Sequence, residues 1–243
     1  MKIIITAGGT SEKIDNVRKI TNSGSGKLAM TIANEILDKY YEKLDTLYYI
    51  CTKGAFRPTH EKVKIIEIEG TLELKNEVEK LLNNEKIDYF IHSMAVSDYM
   101  VSYISNATLL AKTIKESNNP DLVEVIKNNK NVISGTKISS YEDNLIIMLR
   151  PTPKIISLIK DISPNIFLVG FKLLDNSTDE ELIEIATKLL KKNKCNLVVA
   201  NDLANIRQGN HKAFIIDEFG NKIIATDKEG IAKKLVNRMF FND

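Results

Sequence analysis

Residues 2–10 read KIIITAGGT, a β-branched apolar run that leads directly into two glycines. An apolar run without polar alternation is typical of a parallel strand that is buried on both faces of a sheet. The glycines favour a tight turn after that strand, and residues 27–41 then carry apolar side chains at helical spacing. The opening of the chain therefore predicts a strand, a loop and a helix in succession.

The alternation of strands and helices continues to the end of the chain. Further short apolar strands are predicted at residues 46–51, 63–68, 88–92, 144–149, 166–171 and 196–200. Helices are predicted at residues 72–82, from about residue 153, at 179–192 and, after a cap at Asp227, to about residue 239. Strands at 213–217 and 222–226 flank a glycine-containing turn and indicate a hairpin. We predict an α/β fold class, a three-layer α/β/α, Rossmann-like (ribokinase-like) arrangement with a mostly parallel sheet and a C-terminal antiparallel hairpin.

Composition limits the classes of protein that the chain can represent. Its 243 residues, 43% hydrophobic and 27% charged, suit a single globular domain over residues 1–243. With 34 basic and 32 acidic residues, the net charge of +2 gives no reason to expect nucleic acid or a membrane as a partner. Cys51 and Cys195 fit no metal-ligand spacing and indicate buried thiols in a reducing compartment. No apolar run approaches the ~20 residues of a membrane span, so we expect a cytoplasmic protein.

One segment, at about residues 100–140, departs from this regular pattern. It is rich in Ser, Asn and Lys, and its clearest element is a short helix predicted at residues 122–127 after a turn. A long segment with little periodicity inside a compact domain is usually a lid, a binding loop or disorder. We therefore predict a flap over about residues 100–140.

Two glycine-rich loops precede the first predicted helix and are candidate anion sites. Ligands of doubly wound sheets bind beyond the carboxyl ends of the strands, and helix N-termini present N–H groups to phosphates. Neither loop matches G-x-G-x-x-G or the Walker A pattern, so a plain turn and a helix cap remain open alternatives. Together the loops favour a phosphate site. The candidate contacts are Gly8, Gly9, Thr10, Ser25, Gly26 and Lys27.

Candidates later in the chain also follow predicted strands or lie in the flap. Ala95 gives a ligand close access, and Asp98 is suited to accept hydrogen bonds from a base or a sugar, although a turn aspartate is equally compatible. Lys137 could close over a phosphate, although most lysines are solvated surface residues. From the residues alone, the chain is an α/β enzyme or binding protein for a phosphorylated ligand, with a nucleotide favoured.

A further pair of lysines and the histidines carry weaker signals. Lys188 and Lys192 share one face of a predicted helix, and Asn201 follows a predicted strand, but a solvated face and a turn explain them as well. The histidines have no ligand spacing, so a structural role is expected for each of them. They are His60, His92 and His211.

Six motifs resemble, in order, those of the phosphopantothenoylcysteine synthetases. They are TAGGTSEKIDNVRKITNSGSGK, MAVSDY, KISS, RPTPKII, LVGFKLL and VVANDL, and they cover nearly the whole chain. The chain is similar to the stand-alone, streptococcal-type form, which lacks the flavin-dependent decarboxylase domain of the fused enzymes. The resemblance implies a ligase that joins 4′-phosphopantothenate to L-cysteine. In that reaction a carboxylate attacks the α-phosphate of a nucleoside triphosphate, and the cysteine amine then attacks the acyl-nucleotide.

The resemblance also implies roles for single residues. Asn22 would hold the phosphopantothenate side near the acyl carbon, and Lys137 would steady the triphosphate and the intermediate; both are expected to be catalytic. Phe171 would pack against the base, and Asn201 would contact substrate. Nucleotide contacts are implied at Gly8, Gly9, Thr10, Ser25, Gly26, Lys27, Ala95, Asp98, Lys188 and Lys192.

Cofactors, partners and alternatives follow from the same comparison of motifs. The family's SSGKMG reads GSGKLA here and its GFAAET reads GFKLLD, which bears on nucleotide choice; CTP is favoured and ATP is the alternative. Mg²⁺ is implied, its ligands are unassigned, and no flavin is expected. The resemblance also implies a homodimer and a separate decarboxylase in the pathway. A non-catalytic nucleotide-binding regulatory protein on the same scaffold is the alternative, and the missing G-x-G-x-x-G disfavours a nicotinamide-dependent reductase.

Overall fold

An eight-stranded mixed sheet forms the centre of the fold in a computed structural model that describes residues 1–135 and 137–240. Over the described residues the strands are β1 (Lys2–Ala7), β2 (Ser11–Lys13), β3 (Lys19–Thr21), β4 (Thr46–Thr52), β5 (Val63–Ile68), β6 (Tyr89–His92), β7 (Tyr99–Asn106), β8 (Leu145–Pro151), β9 (Phe167–Leu174), β10 (Leu197–Asp202), β11 (Ala213–Asp217) and β12 (Lys222–Ala225). The helices are α1 (Lys27–Tyr40), α2 (Thr71–Asn84), α3 (Ala107–Glu116), α4 (Leu122–Lys127), α5 (Ile155–Ile162), α6 (Asp179–Asn193), α7 (Leu203–Arg207) and α8 (Lys228–Phe240).

The order of strands in the sheet is β12-β11-β10-β9-β6-β1-β4-β5. The six strands from β10 to β5 run parallel, and β11 and β12 join them as an antiparallel hairpin. The predicted fold class is confirmed, including the C-terminal hairpin. Since β1, β6, β9 and β10 are consecutive neighbours, the loops that follow them meet at one edge of the sheet.

The apolar run at the start of the chain is buried on both faces, as its composition predicts. Ile3 and Ile5 pack into a core with α1 and α8, whereas Ile4 packs into the opposite core with α2, α5 and α6. All three side chains are fully buried. Because side chains alternate along a strand, one run of isoleucines fills both layers of the sandwich. Among the described residues, no helix is both long enough and apolar enough to cross a membrane.

Helix α6 shows how local signals fix an element that borders the site. Thr178 and Glu181 form a reciprocal capping box, with hydrogen bonds of 3.2 and 2.9 Å between side chain and backbone. Acidic residues occupy the first turn and lysines the last, as the helix dipole favours. At the last helix, Asp227 Oδ1 accepts a hydrogen bond from the Gly230 N–H at 2.6 Å, so the predicted cap is confirmed.

The segment predicted to have little regular structure contains one strand and two helices. Strand β7 pairs antiparallel with β8 in a separate two-stranded ribbon, and α3 and α4 lie between the two strands in the chain. The strand predicted at 144–149 exists, but it lies outside the main sheet, because its hydrogen-bonding partner is β7. The short hairpin of β2 and β3 has no counterpart in the predicted elements. The extents of the single domain and of the flap stay predictions.

Candidate functional site

A cavity of about 630 Å³ opens at the carboxyl edge of the sheet, between the ends of β6, β9 and β10 and helix α6. We call it the carboxyl-edge cavity. It collects residues that the sequence predicted from separate motifs. They are Ala95, Asp98, Phe171, Lys188, Lys192 and Asn201. Topology brings them together because each follows, or faces, the end of a parallel strand.

The carboxyl-edge cavity is strongly basic. Besides Lys188 and Lys192, it is lined by Lys154 and Lys172, while Asp98 is the carboxylate that faces it within the described residues. Lys154 forms an ion pair with Asp98, and Lys188 lies 2.5 Å from Glu184 on the exposed side of α6. With both ion pairs counted, four lysines against two carboxylates leave a net positive charge, which suits a polyphosphate.

Sequence reasoning missed Lys154 and Lys172, although both lie in quoted motifs, RPTPKII and LVGFKLL. A signal was present for Lys172, since it lies in the carboxyl half of β9, directly after Phe171. Lysine is abundant in this chain, however, and strand position alone does not separate a cavity lysine from a surface one.

His92 also lines the cavity, at the end of β6. The residue is 8% exposed, and its Nδ1 lies 3.0 Å from the Thr6 hydroxyl. Burial lowers the pKa of His92 to about 4. The ring is therefore neutral at pH 7, and the positive charge of the cavity comes from its lysines. The structural role expected for this histidine is compatible with its contact to Thr6, but its place in the wall was not foreseen.

The two glycine-rich loops pack against each other with no room between them. A Cβ placed on Gly24 would lie 2.6 Å from the Gly8 carbonyl oxygen, and one on Gly9 would lie 2.8 Å from the Asn22 carbonyl carbon. Gly8 and Gly26 also adopt positive φ angles of 91° and 71°. The two loops therefore pack as a single unit rather than as two separate sites, and only glycine lets their backbones approach so closely.

Thr10 lies inside the protein, where its polar groups already have partners. Its hydroxyl lies 3.0 Å from the Ser97 hydroxyl and accepts the Ser97 N–H at 2.8 Å. Its own N–H donates to the Ala95 carbonyl at 3.0 Å, and the Ala95 N–H donates to the Gly8 carbonyl at 2.9 Å. Thr10 therefore joins the first glycine loop to the MAVSDY segment. Its predicted contact with a nucleotide stays a prediction.

Asn22 lines a different cleft, of about 660 Å³, together with Gly9, Lys19 and Lys53. Gly9 and Ala95 form a parallel β-bridge, with Gly9 facing this second cleft and Ala95 facing the carboxyl-edge cavity. Asn22 is half-buried, and its N–H donates to the Thr10 carbonyl at 3.0 Å. The structure thus places Asn22 and the basic cavity on opposite sides of one narrow strip of backbone.

Three predicted residues lie further from the carboxyl-edge cavity. Lys27 lines a groove with His211, and its Nζ lies 5.5 Å from the centre of the Phe56 ring. Ser25 is exposed, and its carbonyl accepts the Phe56 N–H at 2.9 Å. Lys137 is exposed in the segment between α4 and β8, and it belongs to neither cleft.

The described residues contain no cluster of three or more His, Cys, Asp or Glu side chains that could hold a metal ion. Mg²⁺ needs few protein ligands when phosphates supply most of its oxygen atoms. One carboxylate, that of Asp98, faces the basic cavity, so the residues present fit an ion that arrives with a nucleotide.

Comparison with known proteins identifies a family whose model matches the chain. The model of the family "DNA/pantothenate metabolism flavoprotein C-terminal domain" matches residues 1–134 and 128–241. The coenzyme A biosynthesis bifunctional protein CoaBC of Thermococcus kodakarensis is 32% identical over 235 residues, which are 96% of this chain and 49% of that protein. The chain spans about half the length of the curated relatives it matches.

Solved structures share the fold over almost the whole chain. The DNA/pantothenate metabolism flavoprotein from Streptococcus pneumoniae superposes with a TM-score of 0.83 at 38% identity, covering 98% of both chains. A Cab2 mutant in complex with phosphopantothenate-cysteine superposes with a TM-score of 0.64 at 18% identity, covering 98% of this chain and 85% of that one. The second likeness shows the fold alone.

Proposed function

The chain belongs to the family of the DNA/pantothenate metabolism flavoprotein C-terminal domain, and from that premise we propose that it is a phosphopantothenate–cysteine ligase of coenzyme A biosynthesis. The observation that carries the proposal is the carboxyl-edge cavity, where four lysines and Asp98 surround a space of about 630 Å³ beside the glycine loops. Support also comes from the relatives named coenzyme A biosynthesis bifunctional protein CoaBC.

In the proposed complex, the nucleoside triphosphate occupies the carboxyl-edge cavity. Phe171 would lie beside the base, and Asp98 would accept hydrogen bonds from the base or ribose after its ion pair with Lys154 opens. The lysines would neutralise the triphosphate, and Mg²⁺ bound with it would withdraw charge from the phosphates. Asn22, across the Gly9 bridge, would donate its amide hydrogens to the substrate carboxylate.

The reaction then proceeds in two displacements. A carboxylate oxygen of 4′-phosphopantothenate attacks the α-phosphorus, the bond from that phosphorus to the β-phosphate oxygen breaks, and pyrophosphate leaves. The amine of L-cysteine next attacks the acyl carbon, the carbon–oxygen bond breaks, and nucleoside monophosphate leaves as the amine loses its proton. Positive side chains fixed around the transferring phosphorus stabilise the charge that develops there. Lys137 would add one more charge through its exposed side chain.

Several finer features belong to the proposal. CTP is the favoured nucleotide and ATP the alternative, and the product would pass to a separate decarboxylase in the cytoplasm. We also propose a homodimer, because the β7–β8 ribbon stands outside the main sheet and exposes Tyr99 and Leu149 to 57% and 39%. Light scattering at micromolar concentration tests this, and a monomeric mass would contradict it.

An isotope experiment tests the acyl-nucleotide route. The protein is incubated with 4′-phosphopantothenate labelled with ¹⁸O in its carboxylate, L-cysteine, Mg²⁺ and one of CTP, ATP, GTP or UTP. Carboxylate attack on the α-phosphorus leaves one labelled oxygen on the nucleoside monophosphate, which mass spectrometry detects. Product formation with an unlabelled monophosphate would contradict the route, and the four nucleotides side by side identify the base. Nucleotide binding without any product would favour the regulatory alternative.

A further inference from the structure

A buried carboxylate in the β2–β3 hairpin, that of Asp15, holds more than its own turn together. The Asp15 side chain is 1% exposed. Its Oδ1 accepts the Val17 and Arg18 N–H groups at 2.8 and 2.7 Å, and its Oδ2 accepts Arg18 Nε and Nη2 at 3.1 and 2.6 Å. These four bonds all lie within the turn. Oδ2 nevertheless accepts a fifth, at 3.1 Å, from the N–H of Ile138, which lies 123 residues further along the chain.

Arg18 holds the same distant residue from its other side. Its Nη2 donates to the Ile138 carbonyl oxygen at 2.9 Å, so the backbone N–H and C=O of Ile138 are both bound by one ion pair. The Ile138 side chain is 3% exposed, which adds an apolar anchor. The planar guanidinium suits this task, because its fork can bind a carboxylate and a carbonyl at once.

The residue that precedes the held amide is Lys137. The N–H that Asp15 accepts belongs to the peptide bond between Lys137 and Ile138, so this contact fixes the backbone orientation at Lys137. The Lys137 side chain itself stays exposed. The backbone at Lys137 is thus tethered to the hairpin, while its charged side chain faces solvent.

The hairpin that carries this ion pair also leads to Asn22. Strand β3 ends at Thr21, and Asn22 is bonded through its N–H to Thr10. The base of the hairpin is fixed in turn, because Glu12 accepts the Thr71 N–H and hydroxyl at 2.9 and 2.7 Å. One short hairpin therefore positions Asn22 at one end and the Lys137 backbone at its turn.

We propose that Asp15 and Arg18 are positioning residues that form a latch. The latch holds the backbone at Lys137 in a fixed position relative to Asn22 for the ligation reaction. The role of Lys137 in the reaction rests on the proposed function. The latch itself rests on the five hydrogen bonds to Asp15 and on the bond from Arg18 to Ile138. Without the latch, Lys137 would sample many positions, and each turnover would bear the entropy cost of ordering it.

The first experiment needs no ligand. Hydrogen–deuterium exchange of residues 137–140 is compared between the full-length wild type, Asp15→Asn and Arg18→Lys. Both variants keep the size of the side chain, and each removes part of the latch, so we expect faster exchange at Ile138. Asp121→Asn is the matched control, because Asp121 also accepts two backbone N–H groups in an exposed turn, at the start of α4. Unchanged exchange in both latch variants overturns the proposal, whatever reaction the protein catalyses.

The second experiment separates positioning from folding. We expect Asp15→Asn to lower kcat by about 10- to 100-fold with little change in the KM for nucleotide, since the cavity lysines are untouched. Lys137→Gln should lower kcat in the wild-type background and have almost no further effect in the Asp15→Asn background. If the fall in kcat of the double variant equals the product of the two single falls, the positioning role is overturned. Faster exchange combined with a fully active Lys137→Gln variant would refute the proposed role of Lys137, and with it the function assigned to the latch. Arg18→Lys supplies the same tests if Asp15→Asn does not fold.

Discussion

The contact between the two glycine loops makes a single methyl group a sharp probe of the site. Replacing Gly9 by alanine puts a Cβ 2.8 Å from the Asn22 carbonyl carbon and nearer still to its oxygen. Ordinary van der Waals contact begins at 3.4 Å, and because the carbonyl oxygen is the nearer atom, the Asn22 backbone must retreat by more than about 1 Å. It cannot do so freely, because its N–H is bonded to Thr10 and the loop continues into Gly24, which abuts Gly8.

Two magnitudes follow from that displacement. Overpacking of a closely packed region costs about 1–3 kcal/mol, and we expect Gly9→Ala to lose stability in this range. Asn22 is the proposed partner of the substrate carboxylate, and a catalytic group misplaced by about 1 Å loses roughly 100-fold in rate. A shift of more than about 1 Å should therefore lower kcat by roughly 100-fold or more.

Urea unfolding and ligation kinetics measure the two effects separately. Gly54→Ala is the folding control, because a Cβ at Gly54 would meet nothing within 4 Å although the residue lines the same cleft. We expect the control to unfold as the wild type does. A Gly9→Ala protein with wild-type stability and wild-type kcat would refute the reasoning, since it would show that the loops are not in the contact described.

Three further outcomes are expected. Burial lowers the pKa of His92 from 6.5 to about 4, so its stabilising contribution is complete above pH 6.5 and is lost as the pH falls towards 4, by about 3 kcal/mol. Between pH 7 and pH 4.5, urea unfolding should show a larger loss of stability for the wild type than for His92→Gln, by about this amount; equal losses would contradict it. Lys192→Gln should weaken nucleotide binding about tenfold by calorimetry, equivalent to ~1.4 kcal/mol, whereas Lys191→Gln on the same helix should not; equal affinities for the two variants would remove Lys192 from the site. Glu12→Ala leaves the Thr71 N–H at the start of α2 without its acceptor and should destabilise the protein by about 1–3 kcal/mol in urea, with a smaller loss for Glu12→Gln; a neutral alanine variant would show that this contact adds nothing.

The main sheet could be predicted because its signals are local. Runs such as KIIIT at residues 2–6 are apolar on both faces, and that pattern identifies a parallel strand without knowledge of its neighbours. The β7–β8 ribbon could not be placed in the same way. Strand β7 reads YMVSYISN, in which polar residues interrupt the apolar ones, and its partner lies some forty residues further on. Which sheet a strand joins is decided by such distant pairing, which a sequence window does not contain.

The candidate site was foreseen in part for a similar reason. Ala95 and Phe171 lie at or near strand ends, where the rule for parallel sheets directs attention, and the motif resemblance named them. Lys154 was missed because an isolated lysine carries no positional signal. Asp15 and Arg18 lie within the quoted opening motif, yet their contact with Ile138 became visible only when the chain was folded.

The central claim is that this chain activates a carboxylate with a nucleotide and transfers it to cysteine. Pyrophosphate release, followed with 4′-phosphopantothenate, Mg²⁺ and CTP or ATP, tests that claim most directly when L-cysteine is first withheld and then added. We predict a burst of at most one pyrophosphate per site without cysteine, because the acyl-nucleotide has no acceptor, and sustained release with phosphopantothenoylcysteine formation once cysteine is present. Binding of nucleotide with no pyrophosphate release under either condition would contradict the ligase assignment and leave a nucleotide-binding protein without this chemistry.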